Sequence, residues 1–63
     1  MIFIDLIEVT ASQKTRPLVV NIANVQSFQK SEKTTDTIVM MMNRQYFFVK
    51  ESLAEIKKLI GRG

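Results

Sequence analysis

The segment at residues 36–52, DTIVMMMNRQYFFVKES, carries three methionines and three aromatic residues around a polar corner at Asn43-Arg44. A strand with one solvated face alternates apolar and polar residues, because successive side chains point to opposite faces of the sheet. The two apolar runs here show almost no alternation. They predict a β-hairpin with large apolar side chains on both faces, and this feature constrains the fold more than any other.

The register of this hairpin stays open in the sequence. A two-residue turn at Asn43-Arg44 places Met40 opposite Phe47, whereas a three-residue loop places Met40 opposite Phe48. Either register leaves at least two large apolar pairs on each face. The expectation of two apolar faces therefore does not depend on the turn.

Short apolar runs separated by polar segments precede the hairpin. Pro17 lacks the amide that a central strand needs, so it suits the first position of a strand. Val25 and Phe28 lie three residues apart, which favours a short helical turn before the next strand. In order, we predict a strand at residues 1–9, a loop at 10–16, a strand at 18–21, a corner at 21–24, a strand at 26–30 and a polar loop at 31–36.

The sequence SLAEIKKLIG at residues 52–61 predicts a C-terminal helix. Ser52 and Glu55 have the spacing of a capping box, and Gly61 is placed to end the helix as its C′ residue. Apolar residues at spacings of three and four form one stripe that must dock on the sheet: Leu53, Ile56, Leu59 and Ile60. The predicted fold is α+β, a single domain with an antiparallel meander of four to five strands, curled or partly barrel-like, closed by this helix.

Composition argues against catalysis. The 63 residues contain no His and no Cys, which removes the commonest general base, zinc ligand and thiol nucleophile. Asp5 and Glu8 are three apart and cannot share a strand face. Glu51 and Glu55 lie at a helix start, where capping explains them. We therefore expect a protein that is not an enzyme and has no metal or cofactor.

The second apolar face has three possible uses: the interior of a curled barrel, a homo-oligomer interface, or a surface for a larger protein. A chain of this length buries about 60% of its unfolded surface, so further burial by self-association is favoured. Thioethers adapt to irregular contacts. The predicted interface residues are Met40, Met41, Tyr46 and Phe48.

Nucleic-acid binding is the alternative function. The segment RQYFFVK interleaves basic and aromatic residues on one strand, as stacking platforms do. Its candidate contacts are Arg44, Tyr46 and Lys50. The net charge of +3 is spread along the chain rather than clustered, which makes this function less favoured than protein association.

With these elements placed, NIANVQSF and TIVMMMNRQYFFVKESLAEI resemble the FlbD family of small bacterial flagellar or swarming-motility proteins, over about residues 17–60. Asn21, Val25 and Phe28 match the family spacing, and VKES at residues 49–52 matches its junction into a short helix. The family usually has Asn-Gly where this chain has Asn43-Arg44, and a short Gly-containing turn where this chain has residues 10–16. Similar chains occur in phage and mobile-element genes. The resemblance implies the fold and brings no catalytic or cofactor residues.

The N-terminal sequence MIFIDLIEV is apolar but contains Asp5 and Glu8 and has no basic leader, so it is not typical of a signal peptide. No stretch approaches the ~20 apolar residues that cross a bilayer. We expect a cytoplasmic location and no membrane partner.

Overall fold

The computed structural model describes residues 2–62, except for the side chain of Arg62. Within that range the chain forms five strands, a 3-10 helix and an α-helix, which confirms the predicted α+β architecture of an antiparallel sheet with one C-terminal helix. In chain order they are β1 (Phe3–Val9), β2 (Thr15–Asn21), the 3-10 helix (Ile22–Asn24), β3 (Val25–Lys30), β4 (Thr37–Met41), β5 (Tyr46–Val49) and α1 (Leu53–Arg62).

The five strands of the described range form one antiparallel sheet in the order β2-β1-β5-β4-β3. β2 and β3 therefore lie at opposite edges, although the short 3-10 helix joins them in sequence. A flat sheet of five strands would separate its outer strands by about 19 Å, whereas the chain from Asn21 to Val25 reaches about 14 Å at most. The sheet must therefore curl strongly, and it is not closed into a barrel.

Three boundaries in the first half differ from the sequence expectation, and the first is that Ile2 precedes β1, which begins at Phe3. β2 begins at Thr15 and contains Pro17 in its middle, because Pro17 lies opposite Ile7 on an edge strand and its missing amide interrupts no bond to β1. The helical turn occupies the predicted corner, while Val25 already belongs to β3. The Asn21 side chain accepts a hydrogen bond from the Ala23 amide at 3.0 Å and so caps that turn. Of the first predicted strand, Met1 lies outside the described residues.

The core lies on the inner, concave face of the curled sheet, beneath α1. Along β1 the buried and exposed residues alternate, with Ile4 and Leu6 inside and Asp5 outside. Ile56 of α1 is 1% exposed and joins the core from the other side. The buried apolar side chains of the described chain are Ile4, Leu6, Val20, Val39, Val49 and Ile56.

The junction between β5 and α1 is held by several polar contacts. The Glu51 carboxylate accepts the Ile7 amide hydrogen bond with both oxygens at 3.0 Å, and the buried Thr37 hydroxyl donates to the Glu51 carbonyl at 2.7 Å. Ser52 Oγ accepts from the Glu55 amide at 3.2 Å, while Glu55 Oε1 accepts from the Ser52 amide at 3.4 Å. The predicted capping box is therefore confirmed.

The C-terminal helix extends further than predicted. Gly61 lies inside α1, which runs to Arg62, so the assignment of Gly61 as a C′ residue is wrong. Among the residues that the structure describes, no helix has the length and apolar content needed to cross a membrane.

Residues 42–44 form a three-residue loop between β4 and β5, with Met40 opposite Tyr46. Neither predicted register is correct, because the loop starts one residue earlier than the Asn43-Arg44 corner suggests. Large apolar side chains nevertheless lie on both faces, as predicted. The facing pairs are Thr37–Val49, Ile38–Phe48, Val39–Phe47 and Met40–Tyr46.

The β1–β2 loop and the β4–β5 loop share one geometry, and each holds a non-glycine residue in the left-handed conformation. Gln13 has a φ of 67° and Arg44 a φ of 71°. The Gln13 amide donates to the Thr10 carbonyl at 2.9 Å, and the Arg44 amide donates to the Met41 carbonyl at 3.0 Å. Three-residue hairpin loops typically place glycine at this last position, since an L-residue there costs about 1–2 kcal/mol.

Glycine at either position is expected to stabilise the fold. Arg44→Gly and Gln13→Gly each relieve the backbone strain, and the greater freedom of glycine in the unfolded chain offsets part of the gain. We expect each to raise the free energy of unfolding by about 0.5–1 kcal/mol, measured by urea denaturation. Ala11→Gly, in the same loop as Gln13 but outside the left-handed region, should lower it instead. A lower urea midpoint of unfolding for both Arg44→Gly and Gln13→Gly would contradict the strain argument.

Candidate interaction surface

The outer face of the β4–β5 hairpin carries a cluster of apolar side chains that point away from the core. We call it the hairpin face and define it by five residues. Cross-strand pairing brings its members together, because residues directly opposite in neighbouring strands lie about 5 Å apart. The hairpin face consists of Ile38 and Met40 of β4, Tyr46 and Phe48 of β5, and Val9 of β1, which pairs with Phe48.

An aromatic pair forms the centre of the hairpin face. The rings of Tyr46 and Phe48 meet edge to face, with centroids 5.8 Å apart and an interplanar angle of 86°. Edge-to-face contact is one of the two arrangements that aromatic pairs favour. Tyr46 remains 57% exposed, whereas Phe48 and Met40 are half-buried. The pair therefore presents the Tyr46 ring to solvent, with Phe48 partly covered beside it on the same strand.

The structure brings three of the four predicted interface residues together and places the fourth elsewhere. Met40, Tyr46 and Phe48 share the hairpin face, whereas Met41 lies on the inner face and packs against the core. The reason is the strand period of two, since Met41 shares its face with the fully buried Val39. The second apolar face is thus not the interior of a barrel.

A shallow depression adjoins the hairpin face at Phe48. It lies between the β1–β2 loop and the loop at residues 31–36, and its volume is about 200 Å³. Val9 and Ala11 line one side, while Thr34 and Asp36 line the other. The depression is open to solvent and has the size of one or two side chains.

The three predicted nucleic-acid contacts follow one strand. Tyr46 is the first residue of β5, and Lys50 directly follows its last residue. Four residues of extended chain separate the two by about 13 Å, and the strand alternation places both on the outer face. Arg44 lies in the exposed loop before β5. Half-buried Phe48 lies between Tyr46 and Lys50 on that face. The arrangement provides one exposed ring flanked by basic residues along the strand.

Acidic residues do not converge on a reaction centre in the described chain. Asp5 lies on the outer face of β1, while Glu8 lies on the inner face and is buried. Glu8 accepts a hydrogen bond from Arg16 Nε at 2.6 Å, and this hydrogen bond together with the carboxylate charge raises the pKa of Arg16 above its ordinary value. Among residues 2–62, no group of three acidic side chains is close enough to hold a metal ion.

The predicted interface omitted residues that reach the same outer surface through long-range strand pairing. Val9 joins the hairpin face because it pairs with Phe48 of β5, 39 residues later in the chain, and no local sequence pattern predicts such a pairing. Three further large apolar side chains of β1 and β2 are exposed, namely Phe3 at 57%, Ile7 at 38% and Val19 at 62%. The outer surface is thus apolar beyond the hairpin.

Comparison with known proteins gives no match to a family model, to a curated protein or to a solved structure. The resemblance to the FlbD family therefore stays a prediction from the sequence.

Proposed function

We propose that this chain is a small non-enzymatic interaction module that associates through its hairpin face, with a second copy as the favoured partner and a larger protein as the alternative. The observation that carries the proposal is the outward-facing Tyr46–Phe48 pair beside Met40. Aromatic and methionine side chains are enriched at the centres of interfaces, where few residues supply most of the binding energy.

The energetics favour covering this surface. Each ~100 Å² of apolar surface removed from water contributes about 2.5 kcal/mol, at roughly 25 cal/mol per Å². The FlbD resemblance is consistent with the proposal, because it implies a small fold without catalytic residues. The absence of cysteine from the sequence fits a cytoplasmic setting, which we include in the proposal.

The double variant Tyr46→Ser, Phe48→Ser tests the proposal. Replacing both rings by small polar side chains should lower the average mass in sedimentation equilibrium and weaken association at least tenfold, while circular dichroism retains the helical signal. Met42→Ser is the matched control, because Met42 is 64% exposed but lies in the loop outside the hairpin face. Unchanged mass in the double variant would contradict self-association through this face.

Binding of single-stranded nucleic acid is a second candidate, favoured by the exposed Tyr46 ring on the same strand face as Lys50. The variants above distinguish the two functions when labelled single-stranded DNA is titrated at low and high salt. Tight, salt-sensitive binding that Tyr46→Ser removes, with unchanged association of the protein, would favour the second candidate. No binding at low salt would dismiss it.

A further inference from the structure

The strand order leaves two open edges in the sheet, and they differ in how well they are protected. β3 has a register irregularity between Val25 and Ser27 and contacts α1, and both features obstruct strand addition. β2 is a regular seven-residue strand that pairs with β1 along its whole length. Its side chains carry one charge, on Arg16, which is bonded to Glu8. Edge strands of this kind recruit further strands.

The pairing with β1 determines which backbone groups of β2 point outward. The Ile7 amide and carbonyl turn towards the junction after β5, where they meet the Glu51 carboxylate and the Lys50 amide. Ile7 therefore exchanges no hydrogen bonds with Pro17, its opposite residue in β2. Since bonded and non-bonded pairs alternate in an antiparallel ladder, the backbone groups of Thr15, Pro17 and Val19 face away from β1.

We propose that β2 pairs antiparallel with β2 of a second copy, about a two-fold axis at Leu18. In this register the Val19 amide of each copy donates to the Pro17 carbonyl of the other. The Asn21 amide, outward by the same alternation, faces the Thr15 carbonyl of the other copy. Val19, now 62% exposed, comes to lie against the proline ring of the second copy on the outer surface.

A second copy of β2 is the favoured partner because of the residues that form this edge. The register is symmetric, so one strand supplies both halves of the contact. It places Arg16 opposite the apolar Val20 of the other copy, so no like charges meet. Pro17 lacks the amide that would return a hydrogen bond to Val19, which limits the strength of the pairing. The missing hydrogen bond makes the dimer reversible. The two-fold symmetry closes the contact, so pairing at this edge stops at two copies.

This dimer uses a different surface from the proposed function and leaves the hairpin face free. With both surfaces in use, the wild-type chain forms species larger than a dimer. The Tyr46→Ser, Phe48→Ser background removes the hairpin-face contact, so in that background the remaining association reports on the β2 edge. A failure of either proposal is therefore distinguishable from a failure of the other.

Two substitutions with opposite expected effects test the edge by sedimentation equilibrium in that background. Val19→Pro removes an outward amide that makes no bond to β1, and it should weaken dimerisation at least tenfold. Pro17→Thr restores an outward amide in each copy, and it should tighten dimerisation at least tenfold. Val19→Ala and Pro17→Ala are matched controls. The first keeps the amide and loses only the contact with the proline ring, so it should weaken the dimer less than Val19→Pro does. The second supplies the amide and should also tighten the dimer.

Hydrogen exchange gives a readout that needs no substitution. In the same background the Val19 amide should exchange more slowly as the protein concentration rises, while the amide of Glu32, an exposed residue of the loop at residues 31–36, should not change. A monomeric background protein at all concentrations would overturn the proposal, as would weaker dimerisation in Pro17→Thr. Species larger than a dimer in that background would overturn the two-fold pairing in favour of a head-to-tail contact with β3.

Discussion

Ile56→Ala is expected to lower the free energy of unfolding by about 2–4 kcal/mol, a large part of the total for a small domain. Ile56 is 1% exposed and is the residue of α1 that enters the buried core. Its truncation removes apolar burial and leaves a cavity between helix and sheet, because the curled sheet holds its neighbours in place. Urea denaturation followed by circular dichroism measures the loss.

Lys57→Ala is the matched control for this variant. Lys57 is the next residue of the same helix and is exposed, so its replacement should change the free energy of unfolding by less than about 0.5 kcal/mol. Both substitutions raise helix propensity slightly, because alanine is the best helix former, so an equal loss in the two variants would contradict the argument from docking of Ile56. A loss below about 1 kcal/mol for Ile56→Ala would contradict its place in the core.

Thr37→Val is expected to cost about 1–3 kcal/mol despite the nearly identical shape of the two side chains. Thr37 is 1% exposed, and its hydroxyl donates to the Glu51 carbonyl at 2.7 Å. Valine keeps the volume but removes the donor, which leaves that carbonyl unpaired at the junction between sheet and helix. Chemical denaturation measures the difference.

Thr35→Val serves as the comparison, because Thr35 is exposed in the loop at residues 31–36. Its replacement should leave the unfolding midpoint nearly unchanged. If Thr37→Val is as stable as the wild type, the hydroxyl contributes no net free energy and the junction is held by the Glu51 carboxylate and the capping box instead.

Local sequence patterns predicted the C-terminal helix. The capping box at Ser52 and Glu55 and the apolar stripe through Ile56 indicated α1, and both are observed. The predicted C-terminal end of α1 was wrong, because Gly61 tolerates helical dihedral angles as well as left-handed ones. The start of β2 was missed because Thr15 looks like part of a polar loop, although pairing with Val9 makes it a strand residue.

The candidate site was predictable in part. The alternation of side chains places Met40 on one face and Met41 on the other, but the sequence does not say which face the core takes. The predicted interface therefore included both methionines, although Met41 packs against the core. The place of Val9 in the hairpin face could not be predicted, because its contact with Phe48 joins two strands that are distant in the chain. Pairings of this kind depend on loop closure and packing rather than on local propensity.

The sequence alone determined that the hairpin carries more apolar side chains than one sheet face can hold, and that an amphipathic helix follows it. Tertiary structure decided which face lies inward. β1 pairs with β5, and α1 lies over the side that holds Val39 and Val49, so Tyr46 and Phe48 are left outside. The physical reason is the strand period of two: a strand offers two equivalent faces, and long-range packing selects the one that is buried.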